Sequence, residues 1–138
     1  MTSTQSDFHH SLDRLIATNR KKQREQFQYR NIYSPTDFAR AFCTVSCDAG
    51  RMTGKTEFIR RNSTDRDAII TLNEDGLSAK FADCRAKIAT ARTFHRLAMQ
   101  AFLTVYVDDA SYVFQVADRD ELIALFAKGY KTTFVFLG

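Results

Sequence analysis

Four stretches of the chain are almost continuously apolar and rich in β-branched or aromatic residues: AFCTVSC (Ala41 to Cys47), DAIITLN (Asp67 to Asn73), FLTVYVDDAS (Phe102 to Ser111) and KTTFVFLG (Lys131 to Gly138). Strands buried on both faces read this way, because neither side of the pleat meets water. KIAT, Lys87 to Thr90, is a shorter candidate strand. Helical spacing lies between these runs. Phe8, Leu12, Leu15 and Ile16 fall on one face of a helix within Ser6 to Gln28. Ser34-Pro35 predicts a helix start, with Ser at the N-cap and Pro at N1, running to about Ala41. ARTFHRLAMQ predicts a further helix. Leu122, Ile123, Leu125 and Phe126 give another, which Gly129 is placed to end. Strands alternating with helices predict an α/β fold: three layers, with a parallel sheet of about four to five strands between helices.

The chain has 138 residues, enough for one core, with 44% apolar and 26% charged residues. One Pro and five Gly argue for regular structure. No apolar run approaches the roughly 20 residues of a membrane helix, and MTSTQSDFHHSLDRL lacks an apolar signal core. The expectation is a cytoplasmic protein without a membrane partner, in host cytoplasm if it is viral. Cys43, Cys47 and Cys84 form no CxxC pair and read as small apolar residues. His9, His10 and His95 show no metal-ligand spacing.

Net charge is +4, and the excess is uneven. Asn19 to Arg30 holds Arg20, Lys21, Lys22, Arg24 and Arg30 against Glu25 alone. This cluster suits an anionic partner such as nucleic acid, or a solvated helix face. Residues 1–33 read as a basic helical extension and 34–138 as the α/β core.

The chemistry concentrates after the first strand. Ala49-Gly50-Arg51-Met52-Thr53-Gly54-Lys55-Thr56 fits [AG]-x-x-x-x-G-K-[ST], a pattern that arises in roughly 1% of random chains of this length. It follows a predicted buried strand and precedes the helical TEFIRR, as a phosphate-binding loop requires. Backbone N–H groups of such a loop and of the helix start converge on a phosphate. Lys55 would reach the β and γ phosphates of ATP, and the Thr56 hydroxyl would bind Mg²⁺. Gly54 permits close backbone approach. A plain turn and capped helix is the alternative. At the end of LTVYVDDAS, Asp108 is the first polar residue after a strand and suits a Mg²⁺-holding carboxylate. Asp109 follows; a helix cap or turn is the other reading of the pair.

GRMTGKT together with LTVYVDDASYV resembles the P-loop NTPases of the additional-strand, catalytic-acid class. Within it, the chain is most similar to the ATPase domain of viral terminase large subunits and to helicase motors. The resemblance spans about Phe42 to Gly138. It implies Mg²⁺-dependent ATP binding and hydrolysis coupled to DNA or RNA handling, with Lys55 and Asp109 catalytic and Asp108 ordering the metal. It also implies sheet order 5-1-4-3-2. Two departures follow. Asp109 is one methylene shorter than the usual Glu. The chain stops at Gly138, where such motors continue into a fifth strand, which leaves the phosphate-loop strand at an open edge for self-association or a protein partner. These departures favour the alternative, a nucleotide-gated or inactive interaction module. Thr90, Arg92, Arg96, Arg60 and Arg61 are candidates to meet a γ-phosphate in a neighbouring subunit or to lie solvated at the surface, and Phe27, Tyr29 and Tyr33 to stack on adenine or pack in the core.

Overall fold

The computed structural model describes residues 3–48, 54–72 and 80–138. Its parallel strands are β1 (Thr44–Cys47), β2 (Ala68–Thr71), β3 (Lys87–Thr90), β4 (Thr104–Asp108) and β5 (Thr133–Leu137). They lie in the order β1-β5-β4-β2-β3. Every pairing is parallel, so β5 is inserted between β1 and β4. β1 pairs within the sheet with β5 alone, at one edge. The order is compatible with a P-loop-like fold without being specific to it.

Alternation along the strands feeds two cores. Phe134 and Phe136 of β5, with Val105 and Val107 of β4, face α2 (Pro35–Phe42), α4 (Ala110–Val116) and α5 (Arg119–Phe126). Val135, Leu137 and Tyr106 face the other way, toward α1 (Ser3–Gln26) and α3 (Lys55–Asn62). β2, β4 and β5 are buried along their whole length, as their continuous apolar character predicts. The result is three layers.

α1 belongs to the second core. Leu12 is 1% exposed and Ile16 7%, packed with Phe58, Ile59 and Val135. Leu15, predicted on the same face, is 49% exposed. α2 starts as its sequence implies: Pro35 is in the first turn and Ser34 Oγ accepts from the Asp37 N–H at 3.1 Å.

Several boundaries differ from expectation. Phe42 ends α2, so β1 begins only at Thr44. ARTFHRLAMQ forms a 3-10 turn at Phe94–Leu97, not an α-helix. Thr93 sets that turn: its N–H donates to Thr90 O, and its hydroxyl accepts from the Thr90 N–H. Phe94 and Leu97 are thereby buried against the first core. The sequence predicts strand as far as Ser111, but β4 stops at Asp108 and residues 110–116 form α4. Tyr112, Val113 and Val116 have strand character, but burying Val113 against the sheet decides the conformation. α5 ends at Phe126, before Gly129, and the left-handed residue in the following turn is Tyr130, φ 61°.

Leu12→Ala should lower stability by about 2–5 kcal/mol, the cost of a large cavity in a packed site. Leu15→Ala should change it by less than about 0.5 kcal/mol. Urea unfolding of both variants checks this; equal effects would mean that α1 does not share the core.

Candidate functional site

The carboxyl ends of the strands in a parallel sheet are where connecting loops leave room for ligands. Here that end gathers residues from four parts of the chain. Gly54 is the N-cap of α3 in a left-handed conformation, φ 87°, which glycine adopts without a Cβ penalty. Lys55 and Thr56 open the helix. Residues 49–53, the first five positions of the predicted loop, lie outside the described residues.

Thr56 Oγ1 donates to Asp108 Oδ2 at 3.3 Å, joining α3 to the end of β4 across 52 residues of sequence. Lys55 Nζ donates to the carbonyl of Gly138, at the end of the inserted strand β5. The structure thus brings Lys55, Thr56 and Asp108 to one end of the sheet.

Asp109 is the N-cap of α4, but its side chain makes no capping bond. Its carboxylate instead accepts from Lys80 Nζ at 3.2 Å, and Lys80 also donates to Asp108 Oδ2 at 3.5 Å. The helix-cap reading therefore holds for the position of Asp109 but not for its carboxylate. Asp109 is left-handed, φ 53° and ψ 48°, a conformation Asp and Asn tolerate better than longer side chains.

Asp108 is 1% exposed, and its Oδ1 has no hydrogen-bond partner among the described residues. Burial pushes its carboxyl above the usual range, and the Asp109 charge adds to this; Lys80 and Thr56 pull the other way. Burial alone would lower Lys80, but Asp108 and Asp109 outweigh it and hold the ammonium above its ordinary value. An orphaned oxygen on a buried carboxylate, with a hydroxyl 3.3 Å from its other oxygen, fits a hard cation with oxygen ligands. Among the described residues no group of three His, Cys, Asp or Glu side chains gathers. Mg²⁺ does not need one, because it takes one or two carboxylates and completes its shell with water and phosphate.

Two contributors were not legible in the sequence. Lys80 lies outside any motif. His9, set aside for lack of metal spacing, donates from Nε2 to Gly54 O at 2.7 Å and packs edge-on against Phe58. It ties α1 to the entrance of α3. Cys43 is buried and its thiol is pushed up to about 12, which removes it as a nucleophile. Arg60 and Arg61 pair with Glu57 on the exposed face of α3, and Arg60 also with Asp83.

A cavity of about 200 Å³ opens beside Gly138, lined in part by Asp48, Ser111, Phe114 and Arg119. A second, of about 240 Å³, lies at the amino ends of β4 and β5. Arg20, Arg24 and Lys131 line it with Phe27, Leu103 and Tyr130. Arg20 donates to Thr104 at 2.8 Å, and buried Gln23 to Thr133 at 2.8 Å. The basic cluster is thus divided: Arg20 and Arg24 reach this cavity, Lys22 lies over the Phe42 ring, and Lys21 is exposed. Phe27 lines this far cavity, and Tyr33 packs against Phe38 and Phe42, so neither stands by Lys55. Tyr29 is 46% exposed.

No protein-family model matches the chain, and no curated protein or solved structure matches it either. Among the described residues no helix is long and apolar enough to cross a membrane.

A raised carboxyl gives a signed pH dependence. As pH rises, the unfolded Asp108 loses its proton first, near the ordinary 3.8. The folded protein then loses stability as pH climbs from there through the raised folded value. Asp108→Asn removes that loss. The variant should melt higher than wild type near neutral pH, with the difference vanishing below the ordinary carboxylate range. Thermal melts across pH check it; a variant less stable than wild type at neutral pH would contradict it.

Proposed function

We propose that the protein binds ATP with Mg²⁺ at the carboxyl end of its sheet and hydrolyses it. The observation that carries this reading is the Thr56–Asp108 contact. The two residues come from separate sequence motifs 52 residues apart, each of a type suited to the metal. Lys55, in the same helical turn, is the cation for the β and γ phosphates, and on binding it exchanges the Gly138 carbonyl for them. The N–H groups at the start of α3 favour the same negative charge. Thr56 and Asp108 hold the Mg²⁺, which when bound neutralises charge on the transferring phosphoryl group. Asp109 orients the attacking water or accepts its proton. Ala49, Gly50, Arg51, Met52 and Thr53 complete the phosphate loop in this reading.

Lys55→Ala should abolish binding of Mg²⁺-ATP in calorimetry. Asp109→Asn should retain binding and lose about 10²- to 10⁴-fold in phosphate release, the usual contribution of a positioned acid or base. If Lys55→Ala binds as wild type does, Gly54-Lys55-Thr56 is only a turn and a helix start.

The second reading is a nucleotide-gated interaction module of the same fold. The Lys80 ion pair favours it, because the ammonium occupies the Asp109 carboxylate oxygen that would otherwise face an attacking water. The free side of β1 would take the partner strand, from another protein or a second copy. Retained binding in a wild type that releases no phosphate selects this reading.

The macromolecule served is a nucleic acid, on the support of the basic cavity. Arg20 is committed to Thr104, so Arg24 and Lys131, both exposed, are the phosphate contacts, Lys131 from its position over the Phe27 ring. Replacing both with Ala should weaken DNA or RNA binding uniformly across sequences and lower the log–log salt slope by about 2. An unchanged slope would remove this cavity from the interface.

A further inference from the structure

Lys80 belongs to neither motif, yet among the described residues its side chain contacts both acids. Its ammonium lies 3.5 Å from Asp108 Oδ2 and 3.2 Å from Asp109 Oδ2. The oxygen it meets on Asp108 is the one that also accepts from Thr56. We infer that Lys80 is a resident counter-ion of the acid pair, and that a divalent cation binding at Asp108 must displace it. This rests on the reading of Asp108 and Thr56 as metal ligands.

The backbone and side chain of this region are held differently. Phe81, the next residue, is fully buried among Phe58, Ile59 and Leu12 in the second core. Asp83 pairs with Arg60 of α3 at 3.5 Å. The main chain is therefore fixed beside the site. The Lys80 side chain is 38% exposed, so it has solvent to move into. Asp108, at 1% exposure, has none. When a divalent ion arrives, the carboxylate stays and the ammonium gives way.

Charge decides that the two exclude each other. Asp108 ionised in a dry site needs a cation, and Lys80 supplies one when no metal is bound. A double charge shared between Asp108 and Thr56 sits close to that ammonium, and like charges in a low-dielectric site repel strongly. Lys80 meets Asp108 only at Oδ2, and Oδ1 has no hydrogen-bond partner among the described residues. Competition of this kind is reciprocal: whatever Lys80 costs the metal, the metal costs the Lys80 contact. Before loading, a single ammonium is shared by the two carboxylates; after it, the divalent cation takes its place at Asp108.

The test uses Mn²⁺ as the probe, with the free ion followed by electron paramagnetic resonance, on wild type, Lys80→Met, Lys80→Arg and Asp108→Asn. Lys80→Met should bind Mn²⁺ on the order of tenfold more tightly than wild type, within the usual span of coupling between sites. Lys80→Arg should bind as wild type does, and Asp108→Asn should lose binding. Thermal melts give a second readout. Without metal, Lys80→Met should melt below wild type, and saturating Mn²⁺ should close the gap. Lys80→Gln serves if the Met variant does not fold. A Lys80→Met affinity no tighter than wild type, with Asp108→Asn still non-binding, overturns the inference and leaves the metal site standing. Mn²⁺ bound equally by Asp108→Asn, or by neither wild type nor Lys80→Met, overturns the metal reading and the inference with it.

Discussion

A carboxylate buried to 1% exposure is the constraint around which this molecule is arranged. Removing an ionised group from water costs several kcal/mol unless partners compensate. Asp108 has a hydroxyl and an ammonium on one oxygen, and on the other no partner among the described residues. Stability alone would favour an amide or an apolar residue at the end of β4. The strand that carries Asp108 is also fixed by apolar burial along its length. The charge is therefore presented at a set position, and the surroundings have to answer it. Thr56 can do so only because α3 begins where it does, and α3 begins there because Gly54 takes a left-handed turn.

The sheet order supplies the spacing. β5 separates β1 from β4, so the carboxyl ends of those two strands lie one strand apart. The end of that middle strand is where Lys55 finds its acceptor. Helix α1 ties this arrangement to the opposite end of the sheet. His9 holds the carbonyl of Gly54, while Arg20 and Gln23 bond to the first residues of β4 and β5. Eleven residues of helix cover roughly 16 Å, and five residues of strand on the order of 13 Å. One helix is thus long enough to touch both ends, and its apolar residues between them, Leu12 and Ile16, are buried.

The sequence carried the layer architecture because burial on both faces leaves a plain signature: Ile69, Ile70, Val105, Val107 and Val135 form runs that no amphipathic element shows. It carried Thr56 and Asp108 because each belongs to a local pattern with a known chemistry. Helix α4 was missed because its residues, Tyr112 to Val116, have strand character, and only the packing of Val113 under the sheet overrides it. Lys80 and His9 were missed for a different reason. Neither has a local signal: each acts on a residue 28 to 45 positions away, a distance the fold closes and periodicity does not register.

Asp109 joins these threads. Against the Glu expected from the sequence resemblance, the shorter side chain first reads as a loss of reach. The backbone supplies another cause. Residue 109 ends a strand and starts a helix within one position, and does so at φ 53°. A non-glycine residue pays on the order of 1–2 kcal/mol in that region, least when it is Asp or Asn. Its carbonyl serves the turn, accepting from the N–H groups of Tyr112 and Val113, which starts α4. Its carboxylate, free of capping duty, reaches Lys80. A Glu would gain a methylene of reach and lose the conformational tolerance that allows the turn. The length of the side chain at position 109 is therefore coupled to how β4 passes into α4.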